Sequence, residues 1–514
     1  MRKRSAPFIC VMCIAATLNA QMLVHTSQRI AGQAPTQPTT VAAASTSEFL
    51  NSIGVACHLN YTWTPYKDFQ TTKALLLASG IRNIRDGGAD PLAIARLRAV
   101  RAAGIRVTWV LDSTEGVVPT PAYWTAAPRH TLTHFLKDVL GVTVTDDIEV
   151  SNEIDIFYPN KHWRAHDSSP LSADPQSPYF WGRYILALTR DTSRSLKADP
   201  AFSSIHLLGP SFGGMSAGVA DGSLYDLVDM GTFHPYMYRG NMSAPSGIAY
   251  DGVPSYFVQT TQPTVYIDEY PTYFRDFQSP YKLGTHQKAM VATETGYYTG
   301  SSQYSISELA QAKYIPRVFA EYFRHSIAKT FIYEFLDEGG DGEMEHSFGL
   351  VRADLAPKPA YFALQSLTAL LQDGNDSFTP GDLTYGFIPA ANGSFTRTQY
   401  AHDLLLQKSN GDFFLLFWHE VSDANRTDRS GTAVLGTDID VSPQSLGVTI
   451  TLPDPIVSAV LYTYDAQWKL HPTKLPIRSH RVSVMAQDKL SVLRLSPDAS
   501  VLTAARIKHQ ESKP

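Results

Sequence analysis

Two glutamates in this chain of 514 residues stand where a hydrophobic, strand-like run gives way to polar residues. One ends the stretch Asp147-Ile148-Glu149-Val150-Ser151-Asn152-Glu153, the other the stretch Ala289-Met290-Val291-Ala292-Thr293-Glu294. Two carboxylic acids flanking one bond can protonate a leaving oxygen and attack the carbon it leaves, which is what cleavage of a glycosidic bond requires. Asn152 next to Glu153 can hold a sugar hydroxyl, and a partly desolvated cleft wall would raise Glu153 into the range of a general acid. Tyr236 and Arg85 are candidate donors that would keep Glu294 ionised as a nucleophile. Taken singly, a glutamate at a strand end is also the pattern of a solvated carboxylate or of a helix N-terminus; the pair carries the reading.

Further candidates stand at the ends of other apolar runs. His234-Pro235-Tyr236 would turn an imidazole and a phenol toward the same cleft. Arg85, followed by Asp86-Gly87-Gly88, would need an anionic partner if buried, and the two carboxylates would provide one. His58 and Asn60 are placed to hydrogen-bond sugar hydroxyls, and Tyr333 and Phe335 to form the floor under a sugar ring. Asp268-Glu269 repeats the strand-end pattern, but only Glu294 is followed in order by a helix pattern and a further strand. Asp337, Glu338, Asp341, Glu343 and Glu345 cluster among glycines without the spacing of an EF-hand loop, and read as a solvated acidic loop at the cleft rim. No metal and no organic cofactor is implied.

The elements that must position these residues alternate. Short apolar runs at Ile53–Leu59, Ile81–Arg85, Ile105–Leu111, Ile148–Val150, Ile205–Leu208, Leu227–Phe233, Ala289–Thr293 and Thr330–Phe335 are interleaved with helical patterns. Thr72–Ser79, Pro91–Ala103, Thr131–Leu140, Trp181–Ala198 and Ser307–Ser326 have apolar residues at i, i+3 and i+4. Strand then helix, repeated, predicts parallel pairing through right-handed crossovers and closure into an α/β fold, a (β/α)8 TIM barrel over residues 48–375. Its active face is the one at the C-terminal ends of the strands. Gly80 and Gly104 stand where helix C-caps belong. After residue 375 the texture changes to strands, with Asn410-Gly411 between apolar runs as a hairpin signal; residues 376–500 read as a β-sandwich, packed against the barrel in preference to the alternative of a carbohydrate-binding module, and 501–514 as a tail.

Composition sets the outer bounds. A net charge of −5 without a basic run excludes nucleic acid as a natural partner. Arg2, Lys3 and Arg4 before the apolar stretch Phe8 to Leu18 read as an export signal over residues 1–20, followed by a disordered linker over 21–47 rich in Gln, Thr, Ala, Ser and Pro. The apolar stretch is too short for a permanent membrane span, so the mature protein is expected outside the cytoplasm, secreted or periplasmic, with no stable membrane insertion. Of the three cysteines, Cys10 and Cys13 fall in the leader, and Cys57 reads as a small buried apolar residue.

The Asn152-Glu153 pair, Glu294, the His234-Pro235-Tyr236 segment and Arg85 together resemble clan A of the glycoside hydrolases, the retaining (β/α)8 enzymes. Barrel followed by sandwich is most similar to family 39, with families 5, 30 and 79 behind it. The chain departs from the clan pattern in having Ile154 rather than proline after Glu153, and in lacking a tryptophan on the eighth strand. The resemblance implies Glu153 as acid/base and Glu294 as nucleophile in a double displacement on an oligo- or polysaccharide. Two other functions use the same residues: a carbohydrate-binding or scaffolding protein without turnover, and a transglycosylase.

Overall fold

The computed structural model describes residues 37–111, 117–118, 130–158, 169–213, 218–236, 279–300, 305–340, 342–375, 377–390, 401–419, 424–427, 433–438 and 445–498. Eight parallel strands form one sheet: β1 (Ile53–Ala56), β2 (Asn83–Asp86), β3 (Arg106–Val110), β4 (Asp147–Glu149), β5 (His206–Leu208), β6 (Gly231–Phe233), β7 (Met290–Thr295) and β8 (Ile327–Ile332). They pair in chain order, with β8 returning beside β1. A parallel bridge between Leu208 and Met230, with Gly209 N–H donating to the Met230 carbonyl (3.0 Å), joins β5 to the chain entering β6 and closes the barrel. Each of the eight strands overlaps one of the apolar runs of the sequence.

Helices cover the outside as their apolar faces require. In Pro91–Ala102 the buried positions are Ala93, Ile94, Arg96, Leu97 and Val100, Asp90 caps the N-terminus through Leu92 N–H (2.8 Å) and Ala93 N–H (3.1 Å), and proline takes the first turn, where its missing donor is no loss. Gly104 follows at φ 92°, which a side chain would oppose.

The barrel interior carries charge. Side chains along a strand alternate, so Asp147 and Glu149 of β4 point the same way while Ile148 joins the apolar core outside. Asp147 accepts from Thr108 of β3 (2.8 Å) and from the ammonium of Lys329 on β8, and His206 of β5 lies 3.3 Å away. One layer higher, Glu149 meets Arg85 of β2. Small-barrel interiors are filled by side chains in layers. Here each buried charge has an opposite charge in its own layer, without which burial would be prohibitive.

A sandwich follows. Its inner sheet runs Ala44–Ser45, Ala401–Gln407, Phe413–His419, Ser491–Pro497, Ile456–Tyr464, Leu470–Leu475; its outer sheet runs Thr39–Ala42, Asp382–Pro389, Leu446–Thr451, Arg481–Ala486. Phe413, Leu415 and Phe417 pack between the two sheets, whereas Phe414, Leu416 and Trp418 belong to the barrel's core. A strand buried on both faces has no polar side, which is why Phe413–Phe417 reads as a continuous apolar run.

Three expectations change. Residues 39–45, expected within the disordered linker, form two short strands that complete both sheets of the sandwich. The eighth strand ends at Ile332, so Tyr333 and Phe335 lie just past it. Phe335 is fully buried in the core and does not line the cavity: two residues on from Tyr333 it would share that residue's face only in a continuing strand, and the pleat has ended before both. The leader, the tail and Asp268-Glu269 lie outside the described residues.

Candidate active site

A cavity of about 660 Å³ opens at the C-terminal ends of the strands. His58, Asn60, Arg85, Asn152, Glu153, Tyr236, Glu294 and Tyr333 all line it, and His234 stands behind Glu153 and Glu294. Nine of the ten residues expected at the site are therefore brought together, Phe335 being the exception.

Glu294 reaches the cavity through a bulge in β7. Between Ala292 and Thr295 the chain advances three residues while β8 advances two, from Thr330 to Ile332. An extra residue of this kind re-aims side chains that regular pleating would send to opposite faces. Thr293 and Glu294, successive in the chain, both reach His234: Thr293 Oγ1 lies 3.1 Å from its Nε2, and Glu294 Oε2 3.6 Å from its Nδ1. Glu294 also accepts from Arg85 Nη1 (2.6 Å) and from the Tyr236 hydroxyl (2.8 Å). Burial alone would raise this carboxyl. The charges of His234 and Arg85, with the Tyr236 and Arg85 hydrogen bonds, overcome that and hold it down at about 2. It is ionised at any ordinary pH.

Glu153 follows β4 in the left-handed region, at φ 45° and ψ 46°. A non-glycine residue there is strained by on the order of 1 kcal/mol. Hydrogen bonds on both sides fix it: Glu153 N–H donates to the Ser211 carbonyl and Ser211 N–H to the Ser151 carbonyl, each at 3.0 Å. Its Oε1 accepts from His234 Nδ1 at 2.7 Å. Gly213 leaves room for it, since a Cβ there would stand 2.7 Å from the Glu153 Cδ. Burial lowers the His234 imidazole, but the Glu294 charge and the Glu153 hydrogen bond reverse this and raise it above its ordinary value. One atom each of Glu153, His234 and Glu294 lie within 4.8 Å of one another. The two carboxylates thus converge on one imidazole from different strand ends.

Arg85 is the hub. It donates Nε (2.5 Å) and Nη2 (3.0 Å) to Glu149, Nη1 to Glu294, and Nη2 to Asn152 Oδ1 (2.8 Å). A planar fork with five donors can grip one carboxylate with two nitrogens and still serve two further acceptors, which the three donors of a single lysine nitrogen cannot match. With its oxygen held by Arg85, Asn152 has its amide NH₂ left to present to a ligand.

The opposite wall holds groups the sequence reading passed over. His58 Nδ1 lies 2.5 Å from Glu338 and 3.3 Å from Glu334 Oε2. Glu334 is fully buried, and burial pushes its carboxyl up to about 8. The nearby Asp86 is raised to about 7 for the same reason. The fully buried Tyr66 hydroxyl donates to Glu334 at 3.3 Å. Glu338 and Glu345, expected in a solvated loop at the cleft rim, line the cavity, Glu338 half-buried and Glu345 exposed. His58, Glu334 and Glu338 also bring one donor atom each within 4.8 Å, as Glu153, His234 and Glu294 do; among the described residues these two triads are the groups able to hold a metal ion. Glu149 and Glu334 had a readable signal. Each is a carboxylate inside an apolar run, where burial forces it to find a partner.

No family model matches the sequence, and no curated protein matches it. Solved structures do. A family 39 glycoside hydrolase from the gut symbiont Bacteroides cellulosilyticus WH2 superimposes with a TM-score of 0.53 at 18% identity, over 89% of this chain and 83% of that one. CelM2, a bifunctional glucanase-xylanase from a metagenome library, gives a TM-score of 0.50 at 11% identity, over 90% of this chain and 99% of that one. The likeness is of fold. Barrel and sandwich are shared along nearly the whole length of both.

Proposed function

We propose that the protein is a glycoside hydrolase of the retaining clan A type, most like family 39, with Glu294 as nucleophile and Glu153 as acid/base. The convergence of Glu153 and Glu294 in one cavity, with one carboxylate oxygen of each within 4.8 Å, carries this reading. Retaining enzymes place their carboxyl groups about 5–5.5 Å apart, whereas inverting ones leave about 6.5–9.5 Å for a water. The similarity of the whole fold to a family 39 enzyme and a glucanase-xylanase supports the substrate class, an O-linked saccharide.

In the first step a Glu294 oxygen attacks the anomeric carbon while Glu153 gives its proton to the departing glycosidic oxygen. The bond to the leaving sugar breaks as the glycosyl ester to Glu294 forms. In the second step Glu153, now a carboxylate, takes a proton from water; the hydroxide attacks the anomeric carbon and Glu294 leaves with its electron pair. Both protons are accounted for. Arg85, Tyr236 and His234 keep Glu294 charged before attack and receive the charge again on departure. Asn152 is placed to donate to the sugar 2-hydroxyl, a contact that strengthens in the transition state.

Glu153→Ala separates the two roles. On aryl glycosides with an activated leaving group the ester should still form but accumulate, and azide should restore turnover and yield a glycosyl azide. Glu294→Gln should lose about 10³-fold or more in kcat and show no azide rescue of that kind. Rescue of neither variant, or full activity in Glu294→Gln, would overturn the assignment. The leader over residues 1–20 is part of the same proposal, an enzyme working outside the cytoplasm; N-terminal sequencing of the exported protein tests it.

A further inference from the structure

Trp63 is the most exposed large hydrophobic side chain among the described residues, at 74%. A lone exposed indole would need no explanation. This one ends a ladder. His58, in the cavity wall, stacks on Tyr61 at 4.6 Å between ring centroids with planes 23° apart, and Tyr61 stacks on Trp63 at 4.6 Å with planes 25° apart. Three nearly parallel rings lead from the cavity wall out to solvent.

The turn that carries the ladder is fixed at both ends. Tyr61 N–H donates to the His58 carbonyl (2.9 Å), and the Thr64 hydroxyl to the Tyr61 carbonyl (2.9 Å). Thr64 also caps the turn Pro65–Lys67, whose Tyr66 is fully buried. With Tyr61 covering one face of the indole, the other faces water. A pyranose ring suits that face, since its C–H bonds are drawn to the electron-rich face of an aromatic ring while its hydroxyls stay hydrated at the rim.

From this we infer that Trp63 is an outer sugar-binding subsite, stacking a unit of the saccharide beyond those held between Glu153, Glu294 and the cavity walls. The preferred substrate is then a chain of sugars rather than a single glycoside. This rests on the glycosidase reading for its catalytic consequence, but not for binding.

The test compares aryl monosaccharide glycosides with xylo- and gluco-oligosaccharides up to the hexasaccharide. Trp63→Ala should lower kcat/KM on the hexasaccharide about tenfold more than on the aryl glycoside, and Trp63→Phe should restore most of the difference. Binding is read without turnover in Glu294→Gln, where the hexasaccharide and not the monosaccharide should change indole fluorescence, a change lost in Glu294→Gln with Trp63→Phe. An equal fall on short and long substrates would mean a merely structural ring and would overturn the subsite, as would the absence of a Trp63-dependent fluorescence change. If the fluorescence change is present while the native chain hydrolyses neither series, hydrolysis fails and the subsite stands.

Discussion

Arg85 divides its donors among Glu149, Glu294 and Asn152, and the state of the candidate nucleophile follows from that division together with Tyr236 and His234. Removing one donor to the charged form of Glu294 should raise its pKa above about 2. Tyr236→Phe is therefore expected to move the acid limb of kcat/KM to higher pH and to cost about ten- to a hundredfold near neutrality, the worth of a hydrogen bond to a charged group. A pH–rate profile of the variant checks both. An acid limb unmoved by Tyr236→Phe would mean that this phenol does not hold the nucleophile. At this scale the sequence was informative where a charged or aromatic residue ended an apolar run, as at Arg85, Glu153, Tyr236 and Glu294. The donors named for Glu294, Tyr236 and Arg85, are the ones it has, while the contact of Glu153 with His234 was not foreseen. Arg85 was expected to find an anionic partner among the two catalytic carboxylates and has one in Glu294; its second acid, Glu149, was not foreseen, and it is there because alternation along β4 turns Glu149 into the barrel beneath it.

Elements place these groups through two local irregularities: the bulge in β7 and the left-handed Glu153 after β4. Neither is encoded by periodicity, which is why strand positions could be read along the chain while the aim of Glu294 could not. Gly213, in the loop after β5, tests the placement of the acid. A Cβ there would stand 2.5 Å from Ile156 Cδ1 and 2.9 Å from Glu153 Oε2, so the carboxylate must shift. Displacement by a few tenths of an ångström up to about 1 Å can cost on the order of 10²-fold in rate. Gly213→Ala should thus lower kcat by about ten- to a hundredfold while moving the urea midpoint little, since both neighbours are side-chain ends. A variant that unfolds without a prior loss of activity would place the role of Gly213 in the fold instead.

The whole molecule is organised around one sheet with two dry faces. The barrel uses the inner sheet of the sandwich as part of its own core, and ionic contacts reinforce the seam. Glu321, fully buried on the barrel helix Glu308–Arg324, accepts from His402 of the sandwich (2.8 Å), from His325 (2.9 Å) and from Arg324 (3.1 Å). On the same helix Lys313 pairs with Asp488 at 2.6 Å, and Arg317 donates to the Asp488 carbonyl at 2.8 Å. Burial opposes the Glu321 charge, but His402, Arg324 and the histidine hydrogen bonds prevail and hold it well below the ordinary carboxylate range. A depressed folded-state pKa gives stability that is present above the unfolded value near 4.5 and is lost as pH falls toward the folded one. Glu321→Gln should therefore cost about 3–5 kcal/mol at neutral pH, with the deficit shrinking as the solution is made acid, as followed by urea denaturation across pH. A deficit constant with pH would mean lost packing rather than lost charge. The sandwich was legible from its hairpin and alternation, and its contact with the barrel from the unbroken apolar run at Phe413–Phe417. The strands at residues 39–45 were not, because a few Thr, Val and Ala residues after a polar stretch carry no period of their own and gain order only from the sheets they join.

All three scales bear on whether Glu153 and Glu294 act on the same anomeric carbon in two successive displacements. Proton NMR of an aryl glycoside during its first minutes of hydrolysis, before mutarotation, reads this directly. The first-formed sugar should have the anomeric configuration of the substrate. Inversion would contradict the nucleophilic role of Glu294 and with it the double displacement.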